Sequence, residues 1–301
     1  MSRRQAYLLL ALAALFWATN PALGRLMVDS VTPVSLSFWR WTGALAILLP
    51  IALPRLIAER HAMRGHYTAL LGLGFLSVAG FTTLVYVGLS FTTATNLSLL
   101  NGTMPIMILI VAKLVLGHAI GGRRILGVAV CLTGVALIVA QGSLAVLLDF
   151  QLNPGDPIIL LAMFCWALYS VLLAKVKLEM HPFSLQLAAF IAGWVMLGLG
   201  FAVEAIFFNA WWPTPDSDPA MLAGLAFLAL FPSVLAFIFW QKGIEATGPG
   251  TAGYFIYLVP VFGTLLAVAT LGEQLYWYHW AGMAAIFLGI FLAQRGAPVK
   301  A

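Results

Sequence analysis

Arg40 brings the strongest chemistry to a chain that is otherwise mostly apolar. It stands in Phe38-Trp39-Arg40-Trp41-Thr42-Gly43. A guanidinium there can bind a substrate carboxylate, cap carbonyls at a kink, or hold one helix against its neighbours. We favour the structural roles but keep Arg40 among the candidate binding residues. Stacking of an aromatic ring on the cation would need a ring from another element, since Trp39 and Trp41 are its immediate neighbours.

The other candidates are neutral. Ser98, Asn101 and Pro105 are spaced i, i+3, i+7 and share one helix face. Trp17, Asn20 and Gly24 share another, with Pro21 weakening the backbone ladder beside Asn20. Thr82 and Tyr86 form an i, i+4 pair, and Trp166 and Tyr169 an i, i+3 pair. Phe237, Trp240, Gln241, Tyr254 and Tyr257 complete the set, with Pro105, Pro232 and Pro260 as further kinks. Such groups bind through ring faces and hydrogen bonds. Apolar walls with a few placed polar groups are what a small-molecule pocket needs. Covalent chemistry has no support: HExxH, GxSxG and P-loop motifs are missing, as is an Asp pair for intramembrane proteolysis. Gly72-Leu73-Gly74 is read as helix packing, not as a nucleotide fingerprint. No cofactor or metal is expected.

What must position these residues is a bundle of membrane helices. Of 301 residues 62% are hydrophobic and 8% charged, where a soluble domain carries about 25% charged residues. The mean hydropathy is +1.01. The apolar runs are continuous and do not alternate, which excludes a barrel. Ten runs qualify as spans: 6–28, 34–53, 67–89, 94–116, 125–141, 157–174, 183–207, 219–240, 250–271 and 276–294. The first run is taken as a span and not as a signal peptide, because its Trp17-Ala18 has a partner in the second half. Trp211, Trp212, Tyr276, Trp277, Tyr278 and Trp280 read as interface anchors. Cys131 and Cys165 lie within apolar runs and build no disulfide framework.

The chain repeats itself. Shifted by 155, Gly88, Thr92, Pro105, Gly117, Gly127 and Gly134 meet Gly243, Thr247, Pro260, Gly272, Gly282 and Gly289. Shifted by 149, Trp17-Ala18, Pro33 and Ser35-Leu36 meet Trp166-Ala167, Pro182 and Ser184-Leu185. One insertion of six residues in 211–219 reconciles the two sets. Arg40 has Ala189 as its counterpart, so that feature is not symmetric. The units are residues 1–141 and 157–301, joined by an external linker over 142–156.

With the N-terminus inside, 13 of the 15 Lys and Arg residues fall in cytoplasmic segments; Arg25 lies outside and Arg40 within a span. The formal charge of +5 is therefore a topology signal and not a sign of nucleic-acid binding. The expected fold is an all-α membrane protein: ten transmembrane helices as two inverted five-helix repeats, both termini cytoplasmic. Inverted repeats with a midplane site are the architecture of many secondary transporters. No Asp or Glu sits mid-span, so coupling to protons is unsupported.

In this order the sequence resembles the EamA-type members of the drug/metabolite transporter superfamily. The likeness rests on Trp17-Ala18 and Trp166-Ala167, Arg40 in its FWRWTGAL setting, Pro105 and Pro260, and Leu271-Gly272-Glu273 followed by Gly282 and Gly289. The first repeat has His118 where the second has Glu273. The resemblance implies a cavity built from spans one to four and six to nine, with five and ten outside. It also implies a multi-pass protein of a bacterial inner membrane that exports small metabolites, amino acids prominent among them. Aromatic walls without carboxylates suit a neutral or aromatic amino acid. A multidrug or quaternary-ammonium exporter is the rival within transport, and a non-transporting scaffold the rival outside it. The expected partners are a small-molecule substrate and the lipid bilayer, not nucleic acid; the sequence assigns no oligomeric state.

Overall fold

A computed structural model describes the chain except for residues 21, 22, 25, 26, 28, 29, 149, 150, 177, 178, 209–211, 214–216, 273 and 296–301. Pro21, Arg25, Trp211, Glu273 and part of the 211–219 stretch that holds the proposed insertion therefore lie outside the described residues. Among the described residues there are helices and turns and no β-strand. The main helices are α1 (Arg3–Trp17), α2 (Pro33–Ala58), α3 (Tyr67–Leu89), α4 (Thr95–Leu116), α5 (Gly122–Val139), α6 (Asp156–Lys175), α7 (Pro182–Phe208), α8 (Pro219–Thr247), α9 (Pro249–Thr270) and α10 (Trp277–Arg295). Eight of them, α2 to α9, are long and apolar enough to cross a membrane among the described residues. That is two fewer than the ten runs expected. The described part of α1 has 15 residues, and the Trp-Tyr-His-Trp start of α10 dilutes its apolar run. Large apolar side chains such as Ile51, Leu114, Ile125, Leu199 and Phe287 are exposed on the outer faces of the bundle. Water would penalise such a surface; lipid tails do not.

Local sequence explains where the helices start and stop. Ser2 and Gln5 form a reciprocal cap at the start of α1, with Gln5 N donating to Ser2 Oγ at 3.2 Å and Ser2 N to Gln5 Oε1 at 2.9 Å. Thr32 caps α2 ahead of Pro33, and Asp218 caps α8 ahead of Pro219. Gly117 and Gly272, matched in the repeat, stop α4 and end the Leu258–Leu271 part of the ninth span in the same left-handed conformation, φ 70° and 69°. Two helices run further than hydropathy suggests. The second continues from Leu53 to Ala58, where Arg55 lies 3.9 Å from Glu59. The eighth continues past Trp240 to Thr247, and Gly248 at φ 80° ends it.

The breaks are also repeated. π-helical turns occupy Phe75–Gly80 in α3 and Ala229–Leu235 in α8, which overlap when shifted by 155. In the first, Ser77 Oγ donates to Leu73 O at 2.6 Å. In the second, Pro232 has no N–H, and Ser233 Oγ donates to Leu228 O at 2.7 Å. α4 is interrupted between Asn101 and Met104, and α9 passes through a tight 3-10 turn at Tyr254–Tyr257. Each irregular turn comes just before the matched proline, Pro105 or Pro260, because a proline ring clashes with the carbonyl four residues earlier.

The halves interlock. α1 packs on α8, α2 on α7, α3 on α6 and α7, and α4 on α6 and the start of α9. α5 and α10 pack on each other, glycine stripe to glycine stripe. At one end of the bundle, Asp156 is fully buried at the start of α6. It accepts bonds from Thr92 Oγ1 at 2.5 Å, Asn96 Nδ2 at 2.9 Å and Asn153 N at 2.8 Å. This ties the α3–α4 turn to α6. Replacing Asp156 with Ala removes the acceptor of three donors, two of them on the buried Thr92 and Asn96, and should cost about 1.5–3 kcal/mol. A lower thermal midpoint in detergent, with Asp156→Asn between the two, is the expected result.

Candidate functional site

A cavity of about 830 Å³ lies between the two halves. That is within the roughly 300–1,000 Å³ range of small-molecule pockets. Trp17 and Asn20 reach it from α1 and its exit, Arg40 from α2, and Thr82 and Tyr86 from α3. Ser98 and Asn101 come from α4, Trp166 from α6, and Tyr257 and Pro260 from α9. Gly24 allows the Tyr86 ring to pass, since a Cβ there would stand 3.1 Å from it. No Asp or Glu is among the described residues that line the cavity.

The floor is a layer of rings. Trp166 is its hub, with centroids 5.0 Å from Trp17, 4.8 Å from Phe81, 5.2 Å from Phe237 and 5.2 Å from Tyr169. Trp17 also meets Trp240 at 5.2 Å, and its Nε1 donates to Pro232 O at 3.0 Å. That bond satisfies a carbonyl within the π-helical turn of α8, so the irregular backbone and the floor support each other.

On the far side of Trp166 from the cavity the bundle is closely packed. Tyr169, Phe237, Trp240, Gln241 and Tyr254 do not line the cavity; all five are nearly fully buried on its closed side. Tyr7 meets Phe255 at 5.2 Å, and Leu10 abuts Gly243. Polar groups persist at this depth: Gln186 Nε2 donates to Tyr169 Oη at 3.4 Å, Trp240 Nε1 to Ser170 Oγ at 3.2 Å and Gln241 Nε2 to Glu245 Oε1 at 2.9 Å. In the other direction the cavity reaches helix ends at Leu89, Thr95, Val139 and Ala267.

Two expectations need correction. α5 is not outside the cavity: Val135, Ile138 and Val139 form part of its wall, whereas α7 and α8 contribute no described lining residue. The glycine face of α5 is taken by α10, which leaves these three on an adjacent face. Their i, i+3, i+4 spacing was the available signal. Nor does Arg40 need a ring from another element, because its Cζ sits 5.7 Å from the ring of its own neighbour Trp41. Phe81, Val85, Leu97, Met104 and Thr264 also line the cavity and carried no distinguishing pattern in the sequence.

Arg40 is 4% exposed. Its Nε donates to Ser233 Oγ at 2.7 Å and an Nη to Tyr86 Oη at 2.9 Å. Three other polar atoms of lining residues are buried without a hydrogen-bond partner: Asn20 Oδ1, Trp166 Nε1 and Tyr257 Oη. Six more such atoms belong to residues that do not line the cavity, among them Ser37 Oγ and Ser184 Oγ, so unpaired atoms do not by themselves mark it.

The model of the EamA-like transporter family matches residues 4–140 and 153–294 of the chain. The chain belongs to this family. Similar proteins include the uncharacterized transporter YyaM of Bacillus subtilis, 27% identical over 97% of this chain and 94% of that protein. An uncharacterized transporter of Archaeoglobus fulgidus is 28% identical over 96% of each chain. A solved structure titled "Crystal structure of protein" superposes with a TM-score of 0.77 at 20% identity, covering 98% of both chains. This EamA-family chain is thus a multi-pass membrane protein with the two-repeat fold of that family. Relatives named as transporters imply a small-molecule substrate and surrounding lipid.

Proposed function

We propose that this chain is a secondary transporter that exports small metabolites, most of all neutral or aromatic amino acids, from the bacterial cytoplasm by alternating access. The observation that carries this reading is the one-sided cavity. It is walled by aromatic rings, floored by Trp166, and bounded on the other side by a dry layer that still holds Tyr169, Gln241 and Tyr254. Repeats over 1–141 and 157–301, inverted and joined through 142–156, would give two equivalent gates. With both termini in the cytoplasm and ten spans, the cavity faces outward. In the opposite state the closed-side residues would line the path, with rocking at the irregular turns near Pro105, Pro232 and Pro260. The absence of a carboxylate among the described lining residues argues against a multidrug exporter of cations.

The test is counterflow of labelled neutral and aromatic amino acids in liposomes holding only this protein, with and without a proton gradient. Flux independent of the gradient supports the reading; no flux for any of them from folded protein overturns the substrate class. Asn101→Ala and Tyr257→Ala should each lower flux about tenfold without loss of folded protein, in line with one lost hydrogen bond in the cavity. Unchanged flux in both would remove them from the path.

A further inference from the structure

Arg40 carries a positive charge to the cavity wall, and no described carboxylate lies within ion-pair distance of it. Its two bonds go to neutral hydroxyls, those of Ser233 and Tyr86. A guanidinium has five N–H donors, so part of the fork remains for another acceptor. Ser233 and Tyr86 fix the plane of the fork from two different helices, which pre-organises it for a planar anion. The cavity wall therefore holds a full positive charge and no full negative one among the described lining residues. Arg40 is itself buried, so charge interactions at its guanidinium are screened less than in bulk water. A monoanion gains there, a zwitterion gains at one end and loses at the other, and a cation is repelled. The rings of Trp17, Phe81 and Trp166 supply the surface for an apolar body.

We propose that the cavity selects solutes with one carboxylate on an apolar body, that the carboxylate is held at Arg40, and that no ammonium group is required. Monocarboxylates without an amino group then bind at least as tightly as the matching amino acids. The inference rests on the transport reading above and narrows its substrate class. It also explains a costly feature, because an intramembrane arginine left without a counter-charge is completed by the solute itself.

The experiment uses the purified full chain and four probes that differ by one group: 3-phenylpropanoate, phenylalanine, phenylalaninamide and phenethylamine. Binding is read from intrinsic fluorescence, since Trp17 and Trp166 line the cavity, and counterflow is read in liposomes. The expected order is 3-phenylpropanoate equal to or tighter than phenylalanine, with the amide and the amine at least tenfold weaker. Arg40→Lys should keep that order with weaker binding. Arg40→Gln should cost the two acids tenfold to a hundredfold and should not weaken the amide. If Arg40→Gln does not fold, the wild-type order alone decides. Phenylalanine tighter than 3-phenylpropanoate, an amide or amine that binds as well as the acid, or no binding of either acid overturns the proposal. The expected binding order without flux of any probe keeps the role of Arg40 and overturns the transport reading instead.

Discussion

Trp166→Ala should reduce counterflow at least a hundredfold and lower stability by about 3–5 kcal/mol, the usual range for truncating a buried tryptophan. The ring is 2% exposed and joins Trp17, Phe81, Tyr169, Phe237 and Trp240, with centroids between 4.8 and 5.8 Å apart. These partners come from α1, α3, α6 itself and α8, so one side chain links four helices across both halves. Its loss would open the floor of the cavity into the layer that holds Tyr169 and Gln241. Two readouts separate the effects. Thermal melting in detergent reports the lost packing, and counterflow at a temperature where the variant is folded reports the lost barrier. Trp166→Phe keeps an aromatic ring in the layer and should retain most of both. A folded Trp166→Ala variant with normal flux would show that the ring layer is not the barrier.

The sequence made the long helices plain for a physical reason. In lipid every backbone polar group must be bonded within its own helix, so α2 to α9 read as unbroken apolar runs. Glycine and proline matches located symmetric features well. Gly117 and Gly272 became equivalent left-handed stops, and Pro105 and Pro260 follow equivalent irregular turns. The π-helical turns were not legible, because one extra residue in a turn leaves no period; only the kink expected at Pro232 falls on one of them. For the cavity, spacing gave the face of each helix but not the depth. Trp166 and Tyr169 share a face, yet only Trp166 lines the cavity, and of Tyr257 and Tyr254 only Tyr257 does. The partners of Arg40 lie 46 and 193 residues away, and nothing local in the sequence points to Tyr86 or Ser233 as its acceptors.

Gly134→Leu should be the most damaging change far from any polar group. α5 and α10 approach so closely that their glycines face backbone. A Cβ on Gly134 would stand 2.6 Å from Gly282 O and 3.0 Å from Ile286 N. One on Gly127 would stand 2.6 Å from Gly289 O and 2.8 Å from Ala293 N. Backbone atoms cannot rotate away as a side chain can, so a side chain here separates the helices. Lipid gives no hydrophobic reward for bringing them back, because helix association in a membrane relies on close van der Waals contact. The leucine should cost at least the ~1–3 kcal/mol typical of over-packing, and Gly134→Ala should fall between it and the wild type. The same helix carries Val135, Ile138 and Val139 into the cavity wall. A displaced α5 must therefore widen the cavity, and ligand affinity should drop together with the melting temperature. Gly122→Leu is the control: it lies on the same helix and a Cβ there meets nothing within 4 Å. If Gly134→Leu melts like Gly122→Leu, the two glycine stripes do not hold α5 against α10. If it melts lower but binds ligand unchanged, the position of α5 does not set the width of the cavity.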